Sequence, residues 1–506
     1  MQVNSESRRD GRLDWIWPLW PALCLVTLLH FLAGTRYGPF RDEMYYLACA
    51  RQLAWGYVDH PPLSILILRV WVHMFTESEI AVRSLGALIS LGTILAIGRL
   101  TAKLGGSRPA IALAGLCFAA SPVMQVTGLL YSPNTLDPLM WALSTLAWLS
   151  CLEDRRSAPK WAILGATLGL AFLNRLSGAW LIFSLCLGTA FAGSGLTLRG
   201  PLLCCATLLA FIAPWVLWQA QNHWATVEFV RNANAHKLNP VGPLQFALTQ
   251  LAVTNIVAAP VWITGLVDGL RKTGTRRLAV AFCAVVAILL LNGRSRENYL
   301  APAYVFVIPI GAIVTAEFLG KARTAWYAAA IVLSGAAFCL VCLPILPKET
   351  LARVLSSLPT PPSAEKGPKS VLQGLSDTIG WQQISGDVAK VWNTLPVADR
   401  ARAAVITANY GEASALLRFG PALGMPEPIS GHNQFWLWGP GQWDGRCAIL
   451  VGVFDQQALG CFEEVRIAGR ADAPWATPEE SHAPIRIAYR LKVPVHTFWN
   501  RLKRFE

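Results

Sequence analysis

Charge is scarce in this chain. Only 14% of its 506 residues are Asp, Glu, Lys or Arg, while 54% are hydrophobic and the mean hydropathy is +0.42. That excludes an ordinary soluble enzyme, in which about a quarter of the residues are charged, and it puts most of the chain in lipid. Acidic residues are the scarcer sign, 30 against 43 Lys and Arg, for a net charge of +13. In a soluble protein this excess would suggest nucleic acid. Up to Leu346, however, 26 basic residues stand against 15 acidic ones, so the excess belongs to the apolar part and reports loops facing anionic lipid; no nucleic-acid partner is expected. The twelve cysteines show no framework spacing, and ten of them, Cys24, Cys117, Cys204 and Cys205 included, lie in the apolar part, mostly in apolar runs that read as packing. Cys339 and Cys342 form a nominal C-x-x-C inside an apolar helical pattern with no second pair, which again reads as packing. Cys447 and Cys461, alone in the polar C-terminal part, could bridge if that part lies outside the cytoplasm. No internal repeat is present, and the loops read as cytoplasmic hold neither a Gly-rich phosphate cradle nor a D-x-D acid pair.

What is present is a series of apolar runs, near 15–35, 84–98, 109–127, 135–152, 160–173, 177–192, 200–218, 243–268, 278–292, 299–318 and 325–346. About eleven spans follow. Arg8, Arg9 and Arg12 before the first run resemble a signal peptide, but the run is long and no cleavage pattern follows it, so it reads as a retained anchor. Alternate loops hold Lys103 and Arg108, then Arg155, Arg156 and Lys160, then Arg199, then Arg271, Lys272, Arg276 and Arg277, and finally Lys321 and Arg323, which makes that side cytoplasmic. An odd number of spans leaves the tail on the opposite, outer face. Ser356 to Gly367, with Pro359, Pro361 and Pro362, reads as a linker. Beyond it, short apolar runs at Ala403–Thr407 and Ala448–Phe454 alternate with helix-like stretches around 383–395 and 411–419, a pattern that predicts a small α/β domain. The expected division is 1–346 membrane part, 347–376 linker and 377–506 soluble domain.

The largest outward loop, 36–83, begins Tyr37-Gly38-Pro39-Phe40-Arg41-Asp42-Glu43. From Asp42 to Trp55 the pattern is helical and amphipathic, and Gly56 stops it before Tyr57-Val58-Asp59-His60-Pro61-Pro62, where the paired prolines impose a rigid extended turn. Adjacent carboxylates on a helix point about 100° apart, so Asp42 and Glu43 cannot aim at one atom in the same way. One is read as catalytic and the other as supportive; the alternative is a pair of solvated acids at a helix N-terminus. Asp137, in Ser132-Pro133-Asn134-Thr135-Leu136-Asp137-Pro138, sits at the outer mouth of an apolar span, where an ionisable group has either a partner, a job, or a helix-capping role. Arg231, His236 and Lys237, and the run Arg294 to Tyr299, bring basic and aromatic groups to the same face, as interfacial anchors or as a phosphate site. Asp42, Glu43, Asp59 and His60 could also gather around one divalent cation.

The order Arg41-Asp42-Glu43, then Y-V-D-H-P-P-L from Tyr57 to Leu63, S-P-N-T-L-D from Ser132 to Asp137 and N-Y-L-A-P from Asn298 to Pro302 resembles bacterial family 39 glycosyltransferases of the GT-C superfamily, which are similar to protein O-mannosyltransferases and the lipid A aminoarabinose transferase. The tail, with Asn409-Tyr410-Gly411-Glu412-Ala413, Ser430-Gly431-His432-Asn433 and Trp436-Leu437-Trp438-Gly439-Pro440, resembles the soluble domain of many bacterial members. The resemblance implies a polytopic α-helical membrane protein with a GT-C-like fold and a small C-terminal α/β domain, in a bacterial inner membrane with its active site on the outer face. It implies transfer of a sugar, with inversion, from a polyprenyl-phosphate donor to a lipid, glycan or protein acceptor. A hydroxyl acceptor needs a carboxylate to take its proton, and Asp42 matches the family's first acid. Glu43 and Asp137 would orient Asp42 or the sugar, while His60, Arg231, His236, Lys237 and Tyr299 would neutralise charge on the departing phosphate. The aminoarabinose branch has a Lys before the paired prolines, where this chain has His60. A polytopic transporter or flippase for a lipid-linked sugar is the competing reading; it would want charges near the bilayer midplane, whereas here the acids cluster at outer span ends.

Overall fold

A computed structural model describes residues 14–191, 198–358, 366 and 372–506. Arg8, Arg9 and Arg12 and most of the proline-rich linker lie outside the described residues. The first half of the chain is a succession of helices: α1 (Trp20–Ala33), α2 (Arg41–Arg51), α3 (Leu63–Met74), α4 (Glu79–Lys103), α5 (Arg108–Ala119), α6 (Pro122–Leu129), α7 (Pro133–Glu153), α8 (Ala158–Asn174), α9 (Gly178–Ala190) and α10 (Arg199–Gln221). Each of the eleven apolar runs falls on helix. Among the described residues four helices are by themselves long and apolar enough to cross a membrane: Glu79–Lys103, Arg199–Gln221, Thr273–Asn292 and Ile308–Cys342. The pair α5 and α6, bent by 61°, makes a fifth when counted as one broken span. Several other runs are cut by local chemistry. The run 243–268 divides into α12 (Pro243–Val253) and α13 (Ala259–Arg271), after the short α11 (Ala225–Asn232), at Asn255, whose φ is 77°. Beyond α14 (Thr273–Asn292), the run 299–318 opens as a 3₁₀ helix, Glu297–Phe306. The helix that follows, α15 (Ile308–Cys342), is two helices broken at Gly320, whose φ of 70° and ψ of 170° are open to glycine but costly for other residues.

Burial rather than amphipathic patterning organises the bundle. Trp141, Tyr304, Phe306 and Leu278 are fully buried, while Leu291, Phe318 and Trp326 are exposed, as lipid-facing side chains would be. Where α13 crosses α15 the backbones touch: a Cβ on Gly265 would overlap the carbonyl of Val307, and one on Gly311 would overlap that of Val261. Small residues at such a crossing are how helices gain packing energy in lipid, where the hydrophobic effect between them vanishes.

After α16 (Lys348–Ser356) the polar part builds a five-stranded mixed sheet. Its elements in order are α17 (Trp381–Thr394), β1 (Ala403–Thr407), α18 (Tyr410–Phe419), β2 (Ile429–Ser430), α19 (Gln434–Trp438), β3 (Cys447–Val451), β4 (Phe462–Arg470), β5 (Pro484–Leu491) and α20 (Val495–Arg501). The spatial order is β2-β1-β3-β5-β4, with β1 parallel to β2 and β3, and β5 antiparallel to β3 and β4. Period-two alternation sends Val405, Ile449 and Val451 to the face covered by Val388, Trp392 and Leu416, and Ile406, Ala448 and Leu450 to the face covered by Phe498 and Trp443. Cys447 and Cys461 are free thiols: Cys447 is buried on β3, and Cys461 Sγ donates to the Gln457 carbonyl at 3.3 Å and accepts from Arg501 Nη1 at 3.2 Å.

This sheet domain sits on the loop 36–83. Val58 N–H donates to Gln434 Oε1 at 3.2 Å, and Arg418 Nη1 to the Glu77 carbonyl at 3.0 Å. Asn232 Nδ2 on α11 reaches the Phe505 carbonyl at 2.9 Å. Tyr45, Tyr46, Ile65, Tyr131, Tyr410 and Phe435 share one apolar cluster, so α2, α3, the loop before α7 and the tail are packed as a unit.

Candidate active site between the loop 36–83 and the tail

Gly38, Pro39 and Phe40 approach α2 in an extended path, and a Cβ on Gly38 would come within 2.6 Å of the Thr378 carbonyl. Glu43, the third residue of α2, turns back so that its Oε2 accepts the Phe40 N–H at 3.0 Å. Its Oε1 accepts the Tyr131 N–H at 3.2 Å, and Arg83 Nη2 lies 3.6 Å from Oε2. Glu43 and Arg83 are both buried, and Arg83 also donates to the carbonyls of Gly34, Gly38 and Arg36. Burial pushes the Glu43 carboxyl up, while Arg83 and the two amides pull it down. Glu43 is therefore a tie between α2, α4 and the chain before α7, and it faces away from solvent.

Asp42, about 100° round the helix from Glu43, faces the tail. Its side chain is 29% exposed. Tyr410 Oη, from the first residue of α18, donates to Asp42 Oδ1 at 2.7 Å. Arg41 Nε stands 4.0 Å from the same oxygen, its Nη1 pairs with Asp377 at 3.2 Å, and the guanidinium lies 5.4 Å from the Tyr410 ring centroid. A second acid, Asp59, lies near enough to feel the charge on Asp42. Asp59 Oδ1 accepts the Tyr45 hydroxyl at 2.7 Å and lies 3.8 Å from His60 Nε2. Burial pushes the Asp59 carboxyl up, His60 and the Tyr45 hydrogen bond oppose this, and the charge on Asp42 adds to the rise. The Tyr45 and Tyr46 phenols are pushed well above their ordinary value by burial and by these carboxylates, so both remain donors. The result is two carboxylates, Asp42 and Asp59, each held by a tyrosine from a different element, with the Tyr45 and Tyr410 rings 4.9 Å apart.

Asp137 is not a helix cap. Ser132 caps α7, its Oγ accepting the Asn134 N–H at 3.2 Å, while Thr135 Oγ1 accepts the Ser132 N–H at 3.0 Å. Asp137 is left buried, with Oδ2 accepting from Ser177 Oγ at 2.6 Å and paired with Arg175 Nη1 at 3.3 Å. Arg175 in turn lies over the Tyr299 ring at 5.1 Å, and Tyr299 packs on Trp180 at 5.9 Å. The phosphate candidates are dispersed in their engagements. His60 is buried among the Tyr45, Tyr46 and Tyr57 rings, with Nδ1 3.0 Å from the Pro61 carbonyl. His236 is exposed and pairs with Glu506 at 3.7 Å. Arg231 is exposed on α11, and the Lys237 carbonyl accepts the Lys366 N–H at 2.9 Å. Among the described residues no three His, Cys, Asp or Glu side chains gather as a metal would require. With both Glu43 oxygens committed to Arg83 and backbone amides, Asp42, Glu43, Asp59 and His60 do not form the cation site considered from sequence.

Three residues that sequence reasoning passed over belong to this geometry: Tyr410, Arg175 and Asp59 as an acid in its own right. Arg175 carried a signal, as a lone arginine between the apolar runs 160–173 and 177–192. Behind Tyr410 lies a buried acidic layer. Glu412 Oε2 accepts the N–H groups of Ala408 and Asn409, and Glu480 Oε1 accepts from Asn409 Nδ2 at 3.2 Å. Burial pushes Glu480 up to about 7; Arg41 opposes this, and Glu479 and Asp377 add to it. Between the ordinary carboxyl range near 4.5 and about 7 only the folded protein keeps this proton, so stability falls as pH rises through that window and levels off above it. Glu480→Gln is expected to flatten the fall, its gain over wild type growing as pH rises from about 4.5 to about 7 and staying constant above that. Thermal unfolding of the detergent-solubilised protein from pH 4.5 to 8 checks this; parallel curves would refute it.

Comparison with known proteins fixes the fold. A family model described as dolichyl-phosphate-mannose-protein mannosyltransferase matches residues 59–218, which hold Asp59, His60, Asp137 and Arg175. The crystal structure of ArnT from Cupriavidus metallidurans bound to undecaprenyl phosphate superimposes with a TM-score of 0.59 at 15% identity, covering 94% of this chain and 98% of ArnT. The apo form of the same protein gives a TM-score of 0.60 at 16% identity, covering 93% and 98%. The chain has the ArnT fold. No curated protein sequence matches it. The GT-C-like architecture expected from the four motifs is thus present, with the tail included, since the ArnT likeness runs over nearly the whole of both chains.

Proposed function

We propose that this chain is an integral membrane glycosyltransferase that moves a sugar from a polyprenyl-phosphate carrier to a hydroxyl acceptor on the outer face of a bacterial inner membrane, inverting the anomeric carbon. The observation that carries the reading is the partly exposed Asp42 carboxylate, oriented by Tyr410 and set beside Asp59 at the helix ends of an ArnT-like bundle. Undecaprenyl phosphate bound to ArnT supports a donor of that chemistry here.

In this reading Asp42 takes the acceptor's proton as the acceptor oxygen bonds to the anomeric carbon, and the bond from that carbon to the phosphate oxygen breaks, its electron pair leaving with the phosphate. Arg175, held by Asp137 and Tyr299, is a preorganised cation for the growing phosphate charge, with Arg231 on α11 and His236 and Lys237 after it as further cations for the donor phosphate. His60 acts on Asp59, which it faces at 3.8 Å. The excess of Lys and Arg in alternate loops supports placing Asp42 and the tail outside the cytoplasm. Residues 1–346 then carry the transferase, and 377–506 form an extracytoplasmic domain over its mouth. The acceptor is a lipid, lipid A included, a glycan or a protein.

The test is turnover. Purified protein given a polyprenyl-phosphate sugar and an envelope extract is expected to release free polyprenyl phosphate and to label an acceptor. Movement of the intact lipid-linked sugar between leaflets without release would instead establish a transporter.

A further inference from the structure

We propose that Tyr410, contributed by the C-terminal domain, is a positioning residue for Asp42, so that the domain completes the active site. The inference rests on the reading of Asp42 as the proton acceptor. Its geometry is specific. Asn409 Oδ1 caps α18 by accepting the N–H groups of Gly411 at 2.8 Å and Glu412 at 3.0 Å, which fixes where the helix starts. Tyr410, its first residue, is then clamped. Its N–H donates to His432 Nδ1 at 3.3 Å, its ring lies 5.0 Å from the His432 ring and 4.9 Å from that of Tyr45, and the Arg41 guanidinium covers it. Gly411 makes the approach feasible, since a Cβ there would come within 2.5 Å of Arg41 Cδ.

A phenol held on so many sides has one direction left for its hydroxyl, and that direction is Asp42 Oδ1. Burial keeps the phenol protonated, so it acts only as donor toward the carboxylate. With Oδ1 occupied, the carboxylate cannot swivel and Oδ2 is the oxygen that receives the acceptor's proton. Holding a base in its reactive orientation acts on the chemical step and leaves ground-state binding of donor and acceptor unchanged.

The experiment compares steady-state transfer by wild type, Tyr410→Phe, Asp42→Asn and the double variant. Tyr410→Phe is expected to lower kcat by about 10- to 100-fold with KM for donor and acceptor unchanged. It should cause no further loss on the residual turnover of Asp42→Asn, because the two act as a unit. Limited proteolysis should show the tail as protected in Tyr410→Phe as in wild type, since the ring contacts persist. Wild-type kcat in Tyr410→Phe, an equal loss in the Asp42→Asn background, or an exposed tail would each overturn the proposal, the last in favour of a structural anchor. Full turnover by Asp42→Asn would overturn the underlying reading instead, whatever Tyr410→Phe does.

Discussion

Asp42→Asn is expected to lower polyprenyl-phosphate release by about 10²- to 10⁴-fold, the range that a positioned general base contributes. The amide keeps the size of the carboxylate and can still meet the Tyr410 hydroxyl through its oxygen, so the site keeps its shape and loses only its proton acceptor. Because Asp42 is partly exposed and, among the described residues, bonded to Tyr410 alone within hydrogen-bond range, its replacement should leave thermal stability within about 0.5 kcal/mol of wild type. The measurement pairs release of free polyprenyl phosphate with a thermal unfolding curve on the same preparation. Turnover retained with an unchanged curve removes Asp42 as the base and turns attention to Asp59, which is held by Tyr45 and faces His60.

How much of this was legible in the sequence depends on how local the determining interaction is. The apolar runs of the bundle follow from periodicity and length and fall on helices, whereas the run expected to be helical from Asp42 to Trp55 is helix only to Arg51, Gln52 already leaving the helical conformation. Strand β1 coincides with the predicted Ala403–Thr407, and α17 and α18 lie within three residues of their predicted ends. Strand β4, FEEVRIAGR, was passed over because it is a largely exposed edge strand carrying Glu463, Glu464, Arg466 and Arg470, as edges do to avoid pairing with other chains. The capping arrangement at α2 was hidden for a related reason. Phe40 stands where the capping signature has Ser or Thr, and Glu43 still closes back on its N–H. Asp137 was ambiguous between cap and partner until Ser132 was seen to cap α7. Tyr410 could not be found by any local rule, since it lies 368 residues from the carboxylate it touches. Arg175 meets Asp137 from 38 residues away, and only the fold brings them together.

The two adjacent acids of the Arg-Asp-Glu motif should also separate in their effect on stability. Glu43→Ala removes the sole carboxylate beside the buried Arg83 among the described residues and strands two backbone donors, the N–H groups of Phe40 and Tyr131. Breaking a buried ion pair from one side costs about 3–5 kcal/mol, because the remaining charge stays desolvated without its partner. Three carbonyls, from Gly34, Arg36 and Gly38, still accept from Arg83, which places the expected loss toward the lower end of that range. Glu43→Gln should fall between alanine and wild type, since its amide oxygen can serve one of the two N–H groups. For Asp42→Asn the loss is in kcat and the unfolding curve stays put; for Glu43→Ala the unfolding curve moves first, and activity falls because α2 no longer presents Asp42 at a fixed angle. Thermal unfolding of the three variants in one detergent distinguishes these cases. Glu43→Ala with a wild-type unfolding curve and no turnover would make Glu43 a participant in the chemistry, and the burial that now assigns it to the scaffold would need another cause.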